Sequence, residues 1–118
     1  MSHTLIDVTS ANFEEQVLRA GQPVLVDFWA PWCGPCRAVT PVLERIANEH
    51  PAVKVVTVNI DEEPGLARRC GVLSVPTIVR FDGGEPSATF VGLRPKPVLE
   101  KALGLSGPAI SRIGEVKE

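Results

Sequence analysis

The chain has 118 residues, 44% hydrophobic and 22% charged, with a net charge of −2. That length supports one compact domain with its own core, and the slightly acidic balance argues against nucleic acid as a partner. No apolar stretch approaches the length that spans a bilayer, so no membrane partner is expected either.

Leu5 to Val8 reads as a short strand. Thr9-Ser10 offers helix caps, and Phe13, Val17 and Leu18 fall at helical spacing through about Arg19. Gly21-Gln22-Pro23 ends that helix. The run Val24-Leu25-Val26-Asp27-Phe28-Trp29 follows, and its near-continuous apolarity predicts a strand buried on both faces. After Cys36, residues Val39, Val42, Leu43 and Ile46 repeat as one face of a helix, with Arg37, Glu44, Arg45 and Glu49 on the wet side. Pro41 inside this stretch predicts a kink.

Val53 to Val58 is β-branched and strand-like. Asn59 to Pro64 makes an acidic turn, and Leu66 to Cys70 a short helix. Thr77–Phe81, the turn Asp82-Gly83-Gly84-Glu85 and Ala88–Val91 form a hairpin. Lys96 to Leu103 closes the domain as a helix with Val98, Leu99, Ala102 and Leu103 inward. From Ser106 to Glu118 the pattern fades, which predicts a domain over 1–105 and a mobile tail over 106–118. The order βαβαβαββα predicts an α/β fold, a mixed sheet with helices on both faces.

Residues 32–36 read Trp-Cys-Gly-Pro-Cys and sit where the 24–29 strand gives way to a helix. Two thiols so close make a poor staple, since closing a four-residue loop is worth only about 2 kcal/mol and strain can erase it. A bond at this spacing is better suited to being made and broken. Three cysteines cannot all pair within one chain, and Met1-Ser2-His3-Thr4 lacks the basic end and apolar core of a secretory signal. Cytoplasm is the expected compartment, and there a Cys-x-x-Cys is catalytic or metal-binding rather than structural.

A thiol attacks as the thiolate, so an exposed cysteine at a helix N-terminus is the natural nucleophile. Unpaired N–H groups and the helix dipole stabilise the negative charge there. That assigns attack to Cys33. Cys36, three residues on and deeper, then displaces the substrate from Cys33 sulfur. Pro35 fixes its own φ and lacks an N–H, while Gly34 lets a substrate come close. A closed zinc site needs two further ligands, and only Cys70, His3 and His50 are available, at unhelpful spacing; no metal is expected.

Asp27, among Leu25, Val26, Phe28 and Trp29, has two readings. It is either a desolvated carboxylate that accepts the Cys36 proton, directly or through water, or a strand-end aspartate reaching solvent. Trp29 reads as core. Trp32 is expected to cover the dithiol and offer substrates an apolar face. Cys70 reads as a buried small hydrophobe, with a regulatory thiol as the alternative.

Asp27-Phe28-Trp29-Ala30, Trp32-Cys33-Gly34-Pro35-Cys36, Pro41, Asn59-Ile60-Asp61, Val75-Pro76-Thr77, Gly84 and Val91-Gly92 together resemble the thioredoxin family, over about Leu5 to Leu105. Thioredoxins are themselves a standard example of a Cys-x-x-Cys with a lowered cysteine pKa. The resemblance implies a thioredoxin fold: a central five-stranded mixed sheet in the order 1-3-2-4-5, flanked by four helices. It implies a cis Val75–Pro76 peptide facing Cys33, with the Val75 backbone pairing to an extended substrate strand. It also implies a groove left open by Gly92.

The implied activity is general protein-disulfide reduction by a redox-active Cys33–Cys36 disulfide. No bound cofactor is expected; electrons would come from NADPH through a thioredoxin reductase. Implied clients include ribonucleotide reductase, peroxiredoxins and methionine sulfoxide reductases, and the protein is expected to be a monomer. Thr57 stands where many members carry a lysine near the buried carboxylate, so Asp27 loses a cation that would favour its ionised form. Three other readings stand beside the reductase: an oxidase or isomerase of the same fold, a non-catalytic binding subunit, and a zinc module.

Overall fold

The structure, a computed structural model, describes residues 5–105. The expected tail and His3 lie outside the described residues. Five strands, β1 (Ile6–Asp7), β2 (Val24–Trp29), β3 (Lys54–Asn59), β4 (Thr77–Asp82) and β5 (Glu85–Val91), form one sheet in the order β1-β3-β2-β4-β5. β3 runs parallel to both β1 and β2, whereas β4 is antiparallel to β2 and to β5. The four helices are α1 (Glu14–Leu18), α2 (Gly34–Glu49), α3 (Pro64–Arg69) and α4 (Lys96–Ala102). Order and element count agree with the sequence expectation. None of these helices is long and apolar enough to cross a membrane.

β2 is the hinge of the architecture because its side chains alternate between two cores. Val24, Val26 and Phe28 pack with Phe13, Val17, Leu66 and Phe81 on the face covered by α1 and α3. Leu25 points the other way, joining Val39, Leu43, Ile46, Leu99 and Leu103 on the face covered by α2 and α4. Both faces of β2 are therefore dry, which is why the strand is apolar throughout. Asp27 follows Leu25 in this alternation and faces α2.

Four local expectations need correction. The first helix is a single π-helical turn: the Arg19 N–H donates to Glu14 O at 2.9 Å, and the helix stops there. Its entry is shaped by Asn12, whose Oδ1 accepts the Thr9 N–H at 2.9 Å, as well as by the Thr9 hydroxyl, which accepts from the Ala11 N–H. In α4 only Leu99 and Leu103 point inward; Val98 and Ala102 lie one position back, about 100° round the helix, and are exposed. β5 begins at Glu85, three residues earlier than expected, because a register shift between Arg80 and Phe81 lets the strand carry Pro86. Cys70 is half-buried against the α1/α3 core instead of fully buried.

α2 runs through Pro41 as one element. Proline there leaves the Arg37 carbonyl without its intrahelical donor, while one residue earlier the Thr40 hydroxyl donates to Cys36 O at 3.1 Å. Arg80 fastens the far end of the domain. Its Nη1 donates to Leu103 O at 2.8 Å and Gly104 O at 3.2 Å, supplying donors to the orphan carbonyls that end α4.

Candidate active site

β2 ends at Trp29, Ala30 follows, and the chain turns straight into α2. Cys33 is the N-cap of that helix, with extended backbone angles (φ −97°, ψ 108°), and its Sγ accepts the Cys36 N–H at 3.2 Å. A Ser, Thr, Asp or Asn usually fills this position and receives an orphan N–H in the same way. Here the acceptor is sulfur. Pro35 fits the first turn because its missing N–H would have been unsatisfied there anyway.

Cys33 and Cys36 form a disulfide with Cα atoms 5.3 Å apart. The expected contrast in exposure between them is absent: Cys33 is 4% exposed and Cys36 2%. Both sulfurs pack on Ala30, with Trp29, Ile60 and Val75 around them. What separates the two is direction. Cys33 sits at the cap, beside Gly34, around which there is open space: a Cβ added there would meet nothing within 4 Å. Cys36 belongs to the first helical turn and lines a cavity of about 350 Å³ beneath the disulfide, together with Asp7, Asp27, Trp29, Pro31, Arg37, Thr40 and Thr57.

Asp27 is the chemical centre of that cavity. It is 1% exposed, and among the described residues its Oδ1 is the buried side-chain oxygen left without a hydrogen-bond partner. Burial, with a smaller contribution from the charge of Asp7, pushes its pKa up to about 7. Of the two sequence readings, the desolvated carboxylate is the one that matches; a strand-end aspartate reaching solvent does not. Thr57 is directly opposite Asp27 on β3, so the place beside the carboxylate holds a neutral hydroxyl, and that hydroxyl donates to Asp7 Oδ1.

Of the remaining predicted residues, Val75 packs against the sulfurs. The Val75–Pro76 peptide is cis, Pro76 is buried, and half-buried Val75 touches the cluster that holds both sulfurs. Gly92 (φ +104°) donates its N–H to Pro76 O at 2.9 Å, tying the end of β5 to the cis-proline loop. A side chain at that φ would be strained, which is why glycine stands there. Trp32 is 67% exposed, and its Nε1 donates to Asp61 Oδ1 at 3.2 Å, which leaves most of the indole open to solvent. Trp29 is not core: it is half-buried at the cavity wall and donates to Asp7 Oδ1 at 3.3 Å.

Sequence reasoning gave no role to Asp7 or Asp61. Asp61 sits in the acidic turn like any solvated residue, and only the fold brings it to Trp32. Asp7 carried a faint signal as the charged member of a short apolar strand. No cluster of three or more His, Cys, Asp or Glu side chains among the described residues is placed to hold a metal. His50 is instead paired with Glu100 at 2.9 Å.

A sulfur pair that bridges the first turn of a helix, below an open glycine and above a buried acid, defines a thiol-disulfide oxidoreductase. Residues 4–104 match the family model described as Thioredoxin. Over 97 residues the chain is 50% identical to thioredoxin 1 of Synechococcus elongatus and 48% identical to thioredoxin of Porphyra purpurea, covering 81% of this chain and 91% of each relative. Thioredoxin of Streptomyces clavuligerus is 46% identical over 99 residues, 84% of this chain and 92% of its own. The chain belongs to the thioredoxin family, and its function is protein-disulfide reduction by a cysteine pair that cycles between dithiol and disulfide.

Proposed function

We propose that Cys33 is the attacking sulfur, Cys36 the resolving one and Asp27 the acceptor of the Cys36 proton. In the reduced protein the Cys33 thiolate attacks a client disulfide, forming a Cys33–client bond and releasing one client thiolate. Cys36 then gives its proton to the Asp27 carboxylate. The resulting thiolate attacks Cys33 sulfur, closing the Cys33–Cys36 disulfide and releasing the second client thiolate. Two electrons pass to the client in all. The asymmetry of the pair carries this reading: the Cys36 N–H points at Cys33 Sγ at 3.2 Å, whereas Cys36 lines the cavity that contains Asp27.

Trp32, Val75, Pro76 and Gly92 form the client platform. An extended client segment pairs with the Val75 backbone as an added strand, and Gly34 and Gly92 leave it room. Gly34 and Pro35 set the loop between the sulfurs. Residues 1–105 constitute the working domain. The protein acts as a cytoplasmic monomer, without a bound cofactor, and is recharged from NADPH by a thioredoxin reductase. Its clients are of the type represented by ribonucleotide reductase, peroxiredoxins and methionine sulfoxide reductases.

NADPH-coupled insulin reduction with a thioredoxin reductase tests direction and partner together. The expected result is turnover that requires both cysteines, with activity falling to background in the Cys33→Ser, Cys36→Ser variant. Absence of turnover, combined with a reduction potential above that of the glutathione pool, would instead make the protein an oxidase or isomerase.

A further inference from the structure

Asp7, Thr57 and Asp27 stand side by side across three neighbouring strands, since Asp7 pairs with Thr57 and Thr57 with Asp27 in register. Residues in register share a face, so all three side chains reach the cavity under Cys36. The row is polarised. Asp7 Oδ1 accepts hydrogen bonds from both the Thr57 hydroxyl and the Trp29 indole, while Asp27 Oδ1 receives none. Thr57 has a single hydroxyl proton, and by giving it to Asp7 it withholds it from Asp27. Asp7 is thereby fixed with its charge turned along the row, two strand spacings or about 10 Å from Asp27 backbone to backbone.

We propose that Asp7 is a positioning residue for the proton relayed from Cys36: its carboxylate, pinned by Thr57 and Trp29, holds the proton on Asp27. This rests on the reading of Asp27 as proton acceptor. Of the residues that line the cavity, Asp7 is the acidic one besides Asp27 itself. β4 contributes Ile78 opposite Asp27, and β3 contributes neutral Thr57. From α2 come Cys36, Thr40 and Arg37. The Arg37 guanidinium donates to Pro31 O at 2.7 Å, at the cavity rim. Asp7 is the charge whose influence on Asp27 adds to that of burial, in the same direction.

The consequence is a setting for the pH at which Asp27 becomes free to accept. A negative charge at this distance strengthens proton binding about tenfold when the intervening medium is protein-like. Removing it makes the ionised form of Asp27 available at lower pH. Asp7→Asn is a clean probe because its amide oxygen still accepts from Thr57 and Trp29, and because the residue lies on a short, exposed edge strand.

The test is a carbon-13 carboxyl titration of Asp27 in the full oxidised chain, for wild type, Asp7→Asn and Asp7→Glu. Asp7→Asn is expected to lower the Asp27 midpoint by about one pH unit, a tenfold loss of proton affinity, and Asp7→Glu to restore it to near the wild-type value. An unchanged midpoint in Asp7→Asn overturns the proposal, as does an equal fall in both variants, which would mean that packing and not charge is responsible. The acceptor reading is judged separately, by the pH profile of insulin reduction for Asp27→Asn. A profile unchanged from wild type there removes that reading, while the carboxyl titration still decides the role of Asp7.

Discussion

Asp27 and Glu100 are both carboxylates shielded from water on the α2/α4 side of the sheet, yet the molecule treats them in opposite ways. Glu100 Oε2 is 2.9 Å from His50 Nε2 and 3.2 Å from Lys96 Nζ, and Lys96 also reaches Glu49 at 2.6 Å. Burial pushes Glu100 up, but the hydrogen bonds from His50 and Lys96 and their charges outweigh it and hold the group below the usual glutamate value. Asp27 has burial and a like charge, and nothing to oppose them. The first arrangement joins α2 to α4. The second keeps a carboxyl in an uneasy state beside a reacting sulfur, which is where perturbed acids are useful.

The two groups therefore give stability opposite pH slopes. Asp27 has a folded value raised from 3.8 to about 7, so the folded state holds a proton that the unfolded chain releases between those limits. Its ionisation erodes stability as pH rises through that window and adds no further loss above it. Glu100, held low, contributes stability above its unfolded value and loses it on acidification through the folded one.

The largest effect is expected at Asp27. Asp27→Asn, neutral and nearly the same shape, should raise stability at pH 8 by about 2–4 kcal/mol, with the gain vanishing near pH 4. Urea unfolding at the two pH values measures it, and a wild-type to variant gap that is the same at both would break the contrast with Glu100. A smaller effect is expected from Glu100→Gln. It should cost about 1 kcal/mol at pH 7, as for a partly shielded ion pair, and the deficit should shrink in acid. A variant equally impaired at pH 3 would show that Glu100 acts by packing and not by charge.

Much of this was legible from local pattern. The apolar run of β2, the helical repeat of Val39, Leu43 and Ile46, and the Gly83-Gly84 turn each depend on neighbours in sequence, and each was read correctly. The dithiol was also legible, since Gly34-Pro35 between cysteines at a strand-to-helix junction leaves few other uses. The cis Val75–Pro76 peptide followed only from family resemblance, because an X-Pro bond alone is cis in about one case in twenty.

What escaped depends on register. Asp7, Thr57 and Asp27 are far apart in the chain, and no local rule says that they share one row. Trp29 was read as core because a tryptophan in an apolar strand usually is. At the last position of β2 it instead lies beside the cavity, where its indole N–H meets Asp7. The inward face of α4 was misjudged for a related reason. Four apolar residues in the eight from Lys96 to Leu103 allow two faces, and only contact with Leu25 and the α2 side selected Leu99 and Leu103.

The central claim is that one sulfur attacks clients while the other waits to displace them. Trapping with a disulfide-containing client on a non-reducing gel tests it directly. Cys36→Ser is predicted to accumulate stable mixed disulfides through Cys33, and Cys33→Ser to accumulate none. Client capture by Cys36 in the Cys33→Ser protein would reverse the assignment and contradict the account.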